Sequence, residues 1–538
     1  MSEQFDDLVQ RFLGEYFEEH PLTATSKGVD GYEAKVADHT AEGFAARFEM
    51  FDRWHRTFIS LNDDGLTADE QIDRDLIASV LRGGQIRRPW QEWRRQPAVY
   101  ISPILDSVFT LFLHRSHPED ELAASAAEVL RAAPRVLEAG KQNLDAALVP
   151  QVFAQRALPH CRAAIGYVRD QVAREVGSAT ARDLLTDAGN TAARAFEDFL
   201  SFLEPLATEA HGDYAIGEEM YDQLLREKEA LSFGARELRD RGRAEFDALS
   251  AQMADIARDI TGSPDWHAAV SSLMQDHPRT PEEMRASYED WTERARRFLI
   301  DRQLVTMPDG EQCMVVPSPS FERPVLAVAS YHQPPAFKPS LIGHFFVPYP
   351  PDGVSEDEVQ KRLASNSFMT IPTTSVHEAY PGHHWHLVTA GANPRPARKV
   401  FSTPYFNEGW ALYTEIMMRD EGFYDDPKHL LGVADARIFR AARIVVDTSL
   451  HMGEMEIEEA VAFMRDNAGL SEPTARAEVA RYCSWPTQAS AYLTGSLEIE
   501  RMRDAWLRAR PGDLRGFHDK IASTGSLPLG LAERALAL

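Results

Sequence analysis

Residues 375–388 hold the densest group of metal-binding side chain types in the chain. Four of its 18 histidines lie within ten residues of one another: His377, His383, His384 and His386. Glu378 directly follows the first of them. Many zinc peptidases carry two histidines one helical turn apart, with a glutamate after the first that activates a water molecule. The segment therefore indicates a zinc-dependent hydrolase with an unusual ligand spacing.

The spacing of these histidines does not fit an uninterrupted helix. His383 would point about 120° away from His377, whereas His384 would share the face of His377 but lie about 10.5 Å further along. Pro381 and Gly382 offer a way out, because proline interrupts helical hydrogen bonding and glycine relaxes backbone limits. We predict a looped-out step that returns either His383 or His384 to the second ligand position. The alternative is a helix end with surface histidines.

A carboxylate downstream could supply the third ligand. Glu408 lies 25 residues after His383, a distance that suits a neighbouring helix. Two histidines and one carboxylate with an open fourth position are typical of catalytic zinc. Glu415 shares the helix face of Glu408, and it is either a hydrogen-bond partner of a ligand histidine or a solvated carboxylate.

Two further clusters could complete an active site. Asp447 and His451 are one turn apart in an apolar helix, and Arg481 and Tyr492 lie on either side of a Trp-Pro step. Imidazole, phenol and guanidinium groups can all stabilise a developing oxyanion. We predict that His451 or Tyr492 donates to the oxyanion and that Asp447 orients His451. Arg481 would contact a substrate carboxylate, although each of these groups would also fit a structural polar contact.

Helical periodicity dominates the elements that must position these groups. Apolar residues recur at three- and four-residue steps near the N-terminus and again after residue 117, where Pro134 should kink or split the helix. Short apolar runs between prolines predict three strands: CMVV (313–316), VLAVA (325–329) and HFFV (344–347). We therefore predict a mostly α protein with one small β-sheet near residues 313–347. The predicted organisation is a single metallopeptidase-like domain over 1–538, with an N-terminal helical half (1–300) and a half with the sheet and the metal-site helices (301–538).

The composition excludes several classes of partner. The chain has 57 Lys and Arg residues against 83 Asp and Glu residues, a net charge of −26, and no basic block. This argues against binding to nucleic acid or to anionic lipid. Three widely spaced cysteines, an acidic N-terminus without an apolar signal core and the lack of any long apolar run point to a cytoplasmic protein.

Several motifs taken together resemble one bacterial family. They are His-Glu-x-x-Pro-Gly-His-His (377–384), Asn-Glu-Gly-Trp-Ala-Leu-Tyr (407–413), His-Pro-Leu-Thr-Ala-Thr (20–25), Val-Asp-x-x-x-His (446–451) and Arg-Tyr-x-x-Trp-Pro-x-Gln-Ala (481–489). The combination resembles the bacterial "domain of unknown function 885" family (DUF885) along the whole chain. The chain departs from the family pattern at Thr487, where members usually carry glycine, and at His386, where glutamine is common.

This family is similar to the gluzincin-type zinc peptidases, chiefly the helical oligopeptidases and carboxypeptidases. The resemblance implies a helical shell around a deep cleft, a Zn²⁺ ion and a peptide or peptide-like small-molecule substrate. It also implies that an edge of the small sheet, His344–Val347 here, pairs with an extended peptide. The Gly382-His383 order matches the Gly-His step of that group and favours His383 over His384.

These observations lead to one expected function and two alternatives. The chain is expected to be a zinc-dependent hydrolase in which His377, His383 or His384, and Glu408 hold Zn²⁺. Glu378 would accept a proton from water and return it to the leaving amine. A metal-dependent non-peptidase enzyme, of the lyase or non-haem iron type, could use a similar donor set. A non-catalytic helical binding protein with a degenerate site is the other alternative.

Overall fold

Helices make up most of the chain, which confirms the mostly α prediction. The structure is a computed structural model that describes residues 2–319, 323, 328–351 and 353–538. The chain divides into two units, Met1–Tyr214 with Pro335–Pro339, and Ala215–Pro334 with Ser340–Leu538. None of the helices in the described residues has the length and apolar character needed to span a bilayer.

The first unit is built from helices that pack along their apolar stripes. Its α-helices are α1 (Ser2–Glu19), α2 (Pro21–Lys27), α3 (Ala41–Ile59), α4 (Ala68–Arg87), α5 (Glu92–Arg95), α6 (Ala98–His114), α7 (Glu119–Asn143), α8 (Gln151–Gly166) and α9 (Ala179–Glu209). Short 3₁₀ segments at Arg88–Trp90 and Val172–Glu175 and a π-helical turn at Tyr167–Gln171 connect some of them. Pro134 does not split α7, because buried side chains on both sides of it, Leu130 and Val136 among them, hold the helix against α6 and α9.

The second unit contains the predicted chemical residues. Its α-helices are α10 (Glu218–Gln223), α11 (Ala235–Thr261), α12 (Trp266–Leu273), α13 (Pro281–Arg302), α14 (Glu356–Ala364), α15 (Ile371–Glu378), α16 (His383–Gly391), α17 (Pro396–Val400), α18 (Pro404–Asp420), α19 (Pro427–His451), α20 (Ile457–Ala468), α21 (Glu472–Ser484), α22 (Ala491–Ala509), α23 (Leu514–Ser523) and α24 (Leu529–Ala535), with a π-helical turn at Leu224–Lys228. α18 and α22 approach closely at two glycines, since a Cβ on Gly409 would lie 2.4 Å from the Cα of Gly495. This contact holds α18 against α22 at the residue that follows Glu408.

The small sheet has three strands, β1 (Gln312–Pro317), β2 (Ser330–His332) and β3 (Ile342–Val347), in the order β1-β3-β2. The strands predicted at 313–316 and 344–347 are confirmed. Of the strand predicted at 325–329, residues 325–327 lie outside the described residues, and residues 328–329 precede β2.

The expectation that His344–Val347 forms a peptide-binding edge is wrong. β3 is the central strand, parallel to β1 and antiparallel to β2, so its backbone is hydrogen-bonded on both sides. Its buried Phe345, Phe346 and Val347 explain this position, because the most apolar strand is most stable where neighbouring strands cover it.

Candidate metal centre

A four-residue break separates α15 from α16, so the two helices do not form one continuous helix. The backbone passes so close to the end of α15 that a Cβ on Gly382 would lie 1.9 Å from the carbonyl oxygen of His377. Only glycine fits there. The indole Nε1 of Trp410 donates to the carbonyl oxygen of Pro381 at 2.8 Å and ties the break to α18. The break thus starts α16, and with it His383, beside the end of α15.

Three predicted ligands come together at this break. Nε2 of His377 lies 3.5 Å, and Nε2 of His383 lies 3.4 Å, from the same Oε2 of Glu408. The two imidazole rings are 4.9 Å apart and nearly perpendicular. Ligand atoms about 2.0–2.2 Å from one tetrahedral zinc ion are about 3.3–3.5 Å from each other. The donor set and its spacing therefore fit Zn²⁺.

Glu415 fixes the orientation of the first histidine. Its Oε1 lies 2.7 Å from Nδ1 of His377, and its Oε2 accepts a hydrogen bond from Thr373 at 2.6 Å. This contact leaves Nε2 of His377 free to face the cluster. Metal-binding histidines are commonly oriented in this way, by a carboxylate bound to the other ring nitrogen. Glu415 is 1 % exposed, which excludes the alternative of a solvated carboxylate.

The cluster concentrates negative charge in a buried place. Burial lowers the pKa of His377, but hydrogen bonds to Glu408 and Glu415 outweigh burial and raise that pKa to about 10. Burial raises the pKa of Glu408, but the neighbouring charges of His383 and His377 hold it well below its usual range. Three carboxylates, those of Glu378, Glu408 and Glu415, surround two imidazoles. A divalent cation would compensate this charge.

Glu378 lies beside the three donors without belonging to them. It follows His377 at the end of α15 and is 8 % exposed. Burial raises the pKa of its carboxyl group, against the opposing charges of His377 and His383. A raised carboxyl pKa next to a reaction centre suits a general base.

His384 faces a different set of partners. Its Nε2 lies 2.7 Å from Oε2 of Glu311, and its Nδ1 lies 2.8 Å from the hydroxyl of Tyr331. Glu311 also accepts hydrogen bonds from Tyr380 and, at 2.8 Å, from Arg296. Both ring nitrogens of His384 are therefore engaged, and the structure does not bring this residue into the cluster. Sequence reasoning missed Glu311, whose only local signal is a carboxylate directly before β1.

This network makes a testable contribution to stability. Burial raises the pKa of Glu311, but hydrogen bonds from His384, Tyr380 and Arg296 outweigh burial and lower the pKa to about 2. A carboxyl with a lowered folded-state pKa stabilises the protein above its unfolded pKa of about 4.3, and this contribution is lost as the pH falls towards 2. We expect Glu311→Gln to reduce the free energy of unfolding at pH 7 by about 2–3 kcal/mol, measured by urea denaturation.

The matched control is Glu289→Gln, which breaks an exposed pair with Arg285. It should cost less than about 0.5 kcal/mol. An equal loss for the two variants, or a difference between wild type and Glu311→Gln that does not shrink between pH 4.5 and 2, would contradict this account of the network.

Asp447 and His451 lie in another buried cluster. Oδ2 of Asp447 accepts a hydrogen bond from Tyr221 at 2.6 Å, while Nε2 of His451 is 3.1 Å from the carbonyl oxygen of Tyr482 and 3.7 Å from Asp447. These contacts link α19 to α10 and α21, and both side chains are fully buried. The arrangement suits a packing role for His451 better than oxyanion binding.

Arg481 and Tyr492 are joined by a chain of hydrogen bonds. Arg481 contacts Glu478 at 2.9 Å and donates to the amide oxygen of Gln488, whose nitrogen donates to the Tyr492 hydroxyl at 3.3 Å. Burial raises the pKa of Tyr492, and the charge of Glu408 raises it further. Tyr492 therefore keeps its proton close to the cluster, whereas Arg481 pairs with Glu478, a carboxylate that it shares with Arg443.

A second set of metal-binding side chains lies in the first unit. Asp30, Glu33 and His117 bring their ligand atoms within 4.8 Å of one another. The Asp30 side chain is 64 % exposed and already pairs with Lys338 at 2.5 Å. A solvated cluster with its own cation is a weaker candidate than the buried site.

The family described as "Bacterial protein of unknown function (DUF885)" matches residues 21–536. The chain belongs to this family. A structure described as "a putative lipoprotein of unknown function" from Shewanella oneidensis resembles this DUF885 chain at 20 % identity, with a TM-score of 0.80 over 99 % of this chain and 100 % of that one. The structure of a "putative lipoprotein" from Colwellia psychrerythraea is 20 % identical in sequence, with a TM-score of 0.77 over 99 % of this chain and 98 % of that one. Both share the fold, and no curated protein matches.

The two departures from the usual DUF885 pattern lie outside the cluster. Thr487 has φ +70°, a left-handed conformation that favours glycine. His386 is fully buried and packs on Phe406 and Trp410, at 5.0 and 5.7 Å between ring centroids. Burial lowers the pKa of His386 to about 3, so this ring is neutral in the fold.

Proposed function

We propose that this DUF885 protein is a zinc-dependent hydrolase of short peptides or peptide-like amides. The observation that carries the proposal is the meeting of His377, His383 and Glu408 beside the buried Glu378. Nε2 of each histidine lies 3.4–3.5 Å from the same oxygen of Glu408. When bound, a zinc ion supplies a Lewis acid that polarises a carbonyl group and acidifies a water molecule.

The residues of the chain would move the protons. The carboxylate of Glu378 accepts a proton from the attacking water as the water oxygen bonds to the carbonyl carbon of the substrate. Glu378 then delivers that proton to the amine as the C–N bond breaks, which leaves a carboxylic acid and an amine as products. Burial raises the pKa of Glu378, and a carboxylate with a raised pKa is a stronger base for the first half of this transfer.

Tyr492 is the proposed oxyanion donor. Its hydroxyl accepts from Gln488, so its own proton can be given to a substrate oxygen. We expect Tyr492→Phe to lower kcat by about 10²-fold, with a smaller change in KM, because the lost bond is made mainly in the transition state. Steady-state kinetics on a cleaved peptide measures this.

Tyr32→Phe, which alters a ring next to Lys35 in the first unit, is the control and should change kcat less than about twofold. A Tyr492→Phe enzyme with wild-type kcat would remove Tyr492 from the proposed chemistry.

Metal content and peptide cleavage together test the function. We expect about one zinc ion per purified chain, and cleavage of a mixed peptide library that a chelator stops and added zinc restores. Stoichiometric iron would favour a non-haem iron enzyme, since that class also uses two histidines and one carboxylate. A metal-free protein without activity would favour a non-catalytic binding protein.

We also propose a cytoplasmic location and no association with nucleic acid or membrane. Support comes from the net charge of −26 and from Cys161, Cys313 and Cys483, all of them free. The lipoprotein descriptions of the two solved relatives raise an anchored location as the alternative, which cell fractionation distinguishes.

A further inference from the structure

Helix α19 packs against three of the four helices that carry the proposed chemistry. These are α15, α18 and α22, which bear Glu378, Glu408 and Tyr492. Two of its arginines flank the phenol ring, with the Arg443 and Arg440 guanidinium carbons 4.8 and 5.8 Å from the Tyr492 ring centroid. Positive charge thus lies beside the proposed oxyanion donor.

Arg440 differs from its neighbours on α19 in having no carboxylate partner among the described residues. Arg437 pairs with Glu500 at 2.8 Å, and Arg443 pairs with Glu478 at 2.9 Å. Arg440 forms no ion pair with any described residue. Its Nη1 donates to a main-chain carbonyl one turn earlier at 3.0 Å, and its buried Nε has no hydrogen-bond partner among the described atoms.

The charge of Arg440 acts on Asp435 without an ion pair. Burial raises the pKa of Asp435 to about 6, and the charge of Arg440 opposes this shift. Asp435 forms no ion pair with the guanidinium within the described residues. A half-buried guanidinium presents several N–H donors in a planar fork that matches a carboxylate. The guanidinium of Arg440 can therefore bind a carboxylate of a ligand.

We propose that Arg440 binds a carboxylate of the substrate, so that the enzyme selects peptides with a free carboxylate near the scissile bond. This inference rests on the proposed function. The carboxylate is either the C-terminal group of the peptide or an acidic side chain. Arg440 takes the role that the sequence suggests for Arg481, because Arg481 already pairs with Glu478 and donates to Gln488.

Matched peptide libraries test the inference. Tripeptides are prepared with a C-terminal acid or a C-terminal amide, and with Glu or Gln at each position. The zinc-loaded wild type should show a kcat/KM about 10- to 100-fold higher for the form that keeps the recognised carboxylate. Sensitivity to amidation identifies the C-terminal group, and sensitivity to Glu/Gln exchange identifies a side chain.

Variants at Arg440 connect this preference to the residue. In Arg440→Met, the kcat/KM values for the carboxylate and neutral forms of a peptide should differ by less than about twofold. Arg440→Lys should retain part of the preference, because lysine keeps the charge but lacks the planar guanidinium fork. Lys428→Met, on the same helix and with only long contacts of 3.8 Å to acidic residues, should keep the wild-type ratio.

A binding measurement gives a readout that is independent of turnover. In zinc-loaded Glu378→Gln protein, the carboxylate form of the best tripeptide should raise the thermal midpoint more than its neutral counterpart does. Adding Arg440→Met should remove the difference.

Two results would overturn this inference and leave the proposed function standing. One is Glu378-dependent cleavage whose kcat/KM changes neither with C-terminal amidation nor with Glu/Gln exchange, and the other is a carboxylate preference that survives in Arg440→Met. If zinc-loaded wild type cleaves no library member, the proposed function fails, and the inference fails with it.

Discussion

Glu378→Gln should lower kcat by about 10²- to 10⁴-fold while leaving the zinc content at the wild-type level. Glutamine has nearly the same shape, but it cannot accept the proton of the attacking water. Glu378 lies beside the cluster of His377, His383 and Glu408 and is not one of its donors, so metal should be retained. Peptide kinetics and metal analysis on the same preparation measure both quantities.

Glu289→Gln makes the same chemical change in an exposed ion pair and should leave kcat and zinc unchanged. A Glu378→Gln enzyme within tenfold of wild type would contradict the assignment of the base. Loss of zinc from this variant would instead make Glu378 a ligand.

His383→Ala should reduce the zinc content by at least about tenfold, and activity with it, whereas His384→Ala should keep its zinc. The reason is geometric. Nε2 of His383 is 3.4 Å from the shared oxygen of Glu408, whereas His384 is held by Glu311 and Tyr331. Mass spectrometry of the metal, after dialysis against the same buffer, measures the difference.

The two histidine variants control for each other, because they remove the same side chain from adjacent positions. His384→Ala should instead lower the free energy of unfolding by about 1–3 kcal/mol, since Glu311 loses a buried hydrogen-bond donor. Zinc lost from His384→Ala and retained by His383→Ala would reverse the ligand assignment.

The sequence predicted the class of fold because the helical signal is local. Apolar spacing predicts the helices and the strands β1 and β3 without knowledge of distant contacts. The order of the sheet depends on pairing between separated segments, so the central position of β3 could not be predicted from its own residues. The same limit applies to Pro134, which packing against α6 and α9 accommodates within α7.

The candidate site was predictable in its residue types and only partly in its geometry. The Pro381-Gly382 step predicts a break after Glu378, and the structure has one there. The distinction between His383 and His384 depends on Glu311 and Tyr331, which lie 73 and 53 residues before His384. No local pattern shows such contacts.

Arg440 was missed for a related reason. An arginine in an apolar helix was the available signal, but only the structure shows that its neighbours Arg437 and Arg443 have carboxylate partners. The net charge of −26 would favour cationic substrates at long range, yet the arginines of α19 favour an anionic group locally. Local contacts should decide specificity at physiological salt, because surface charges are screened.

The most direct test is an anomalous difference map at the zinc edge from a crystal of zinc-loaded protein. The account predicts one strong peak about 2.0–2.2 Å from Nε2 of His377, Nε2 of His383 and an oxygen of Glu408, with the Glu378 carboxylate outside the ligand set. A peak bound by His384, or a peak only at the exposed group of Asp30, Glu33 and His117, would contradict it.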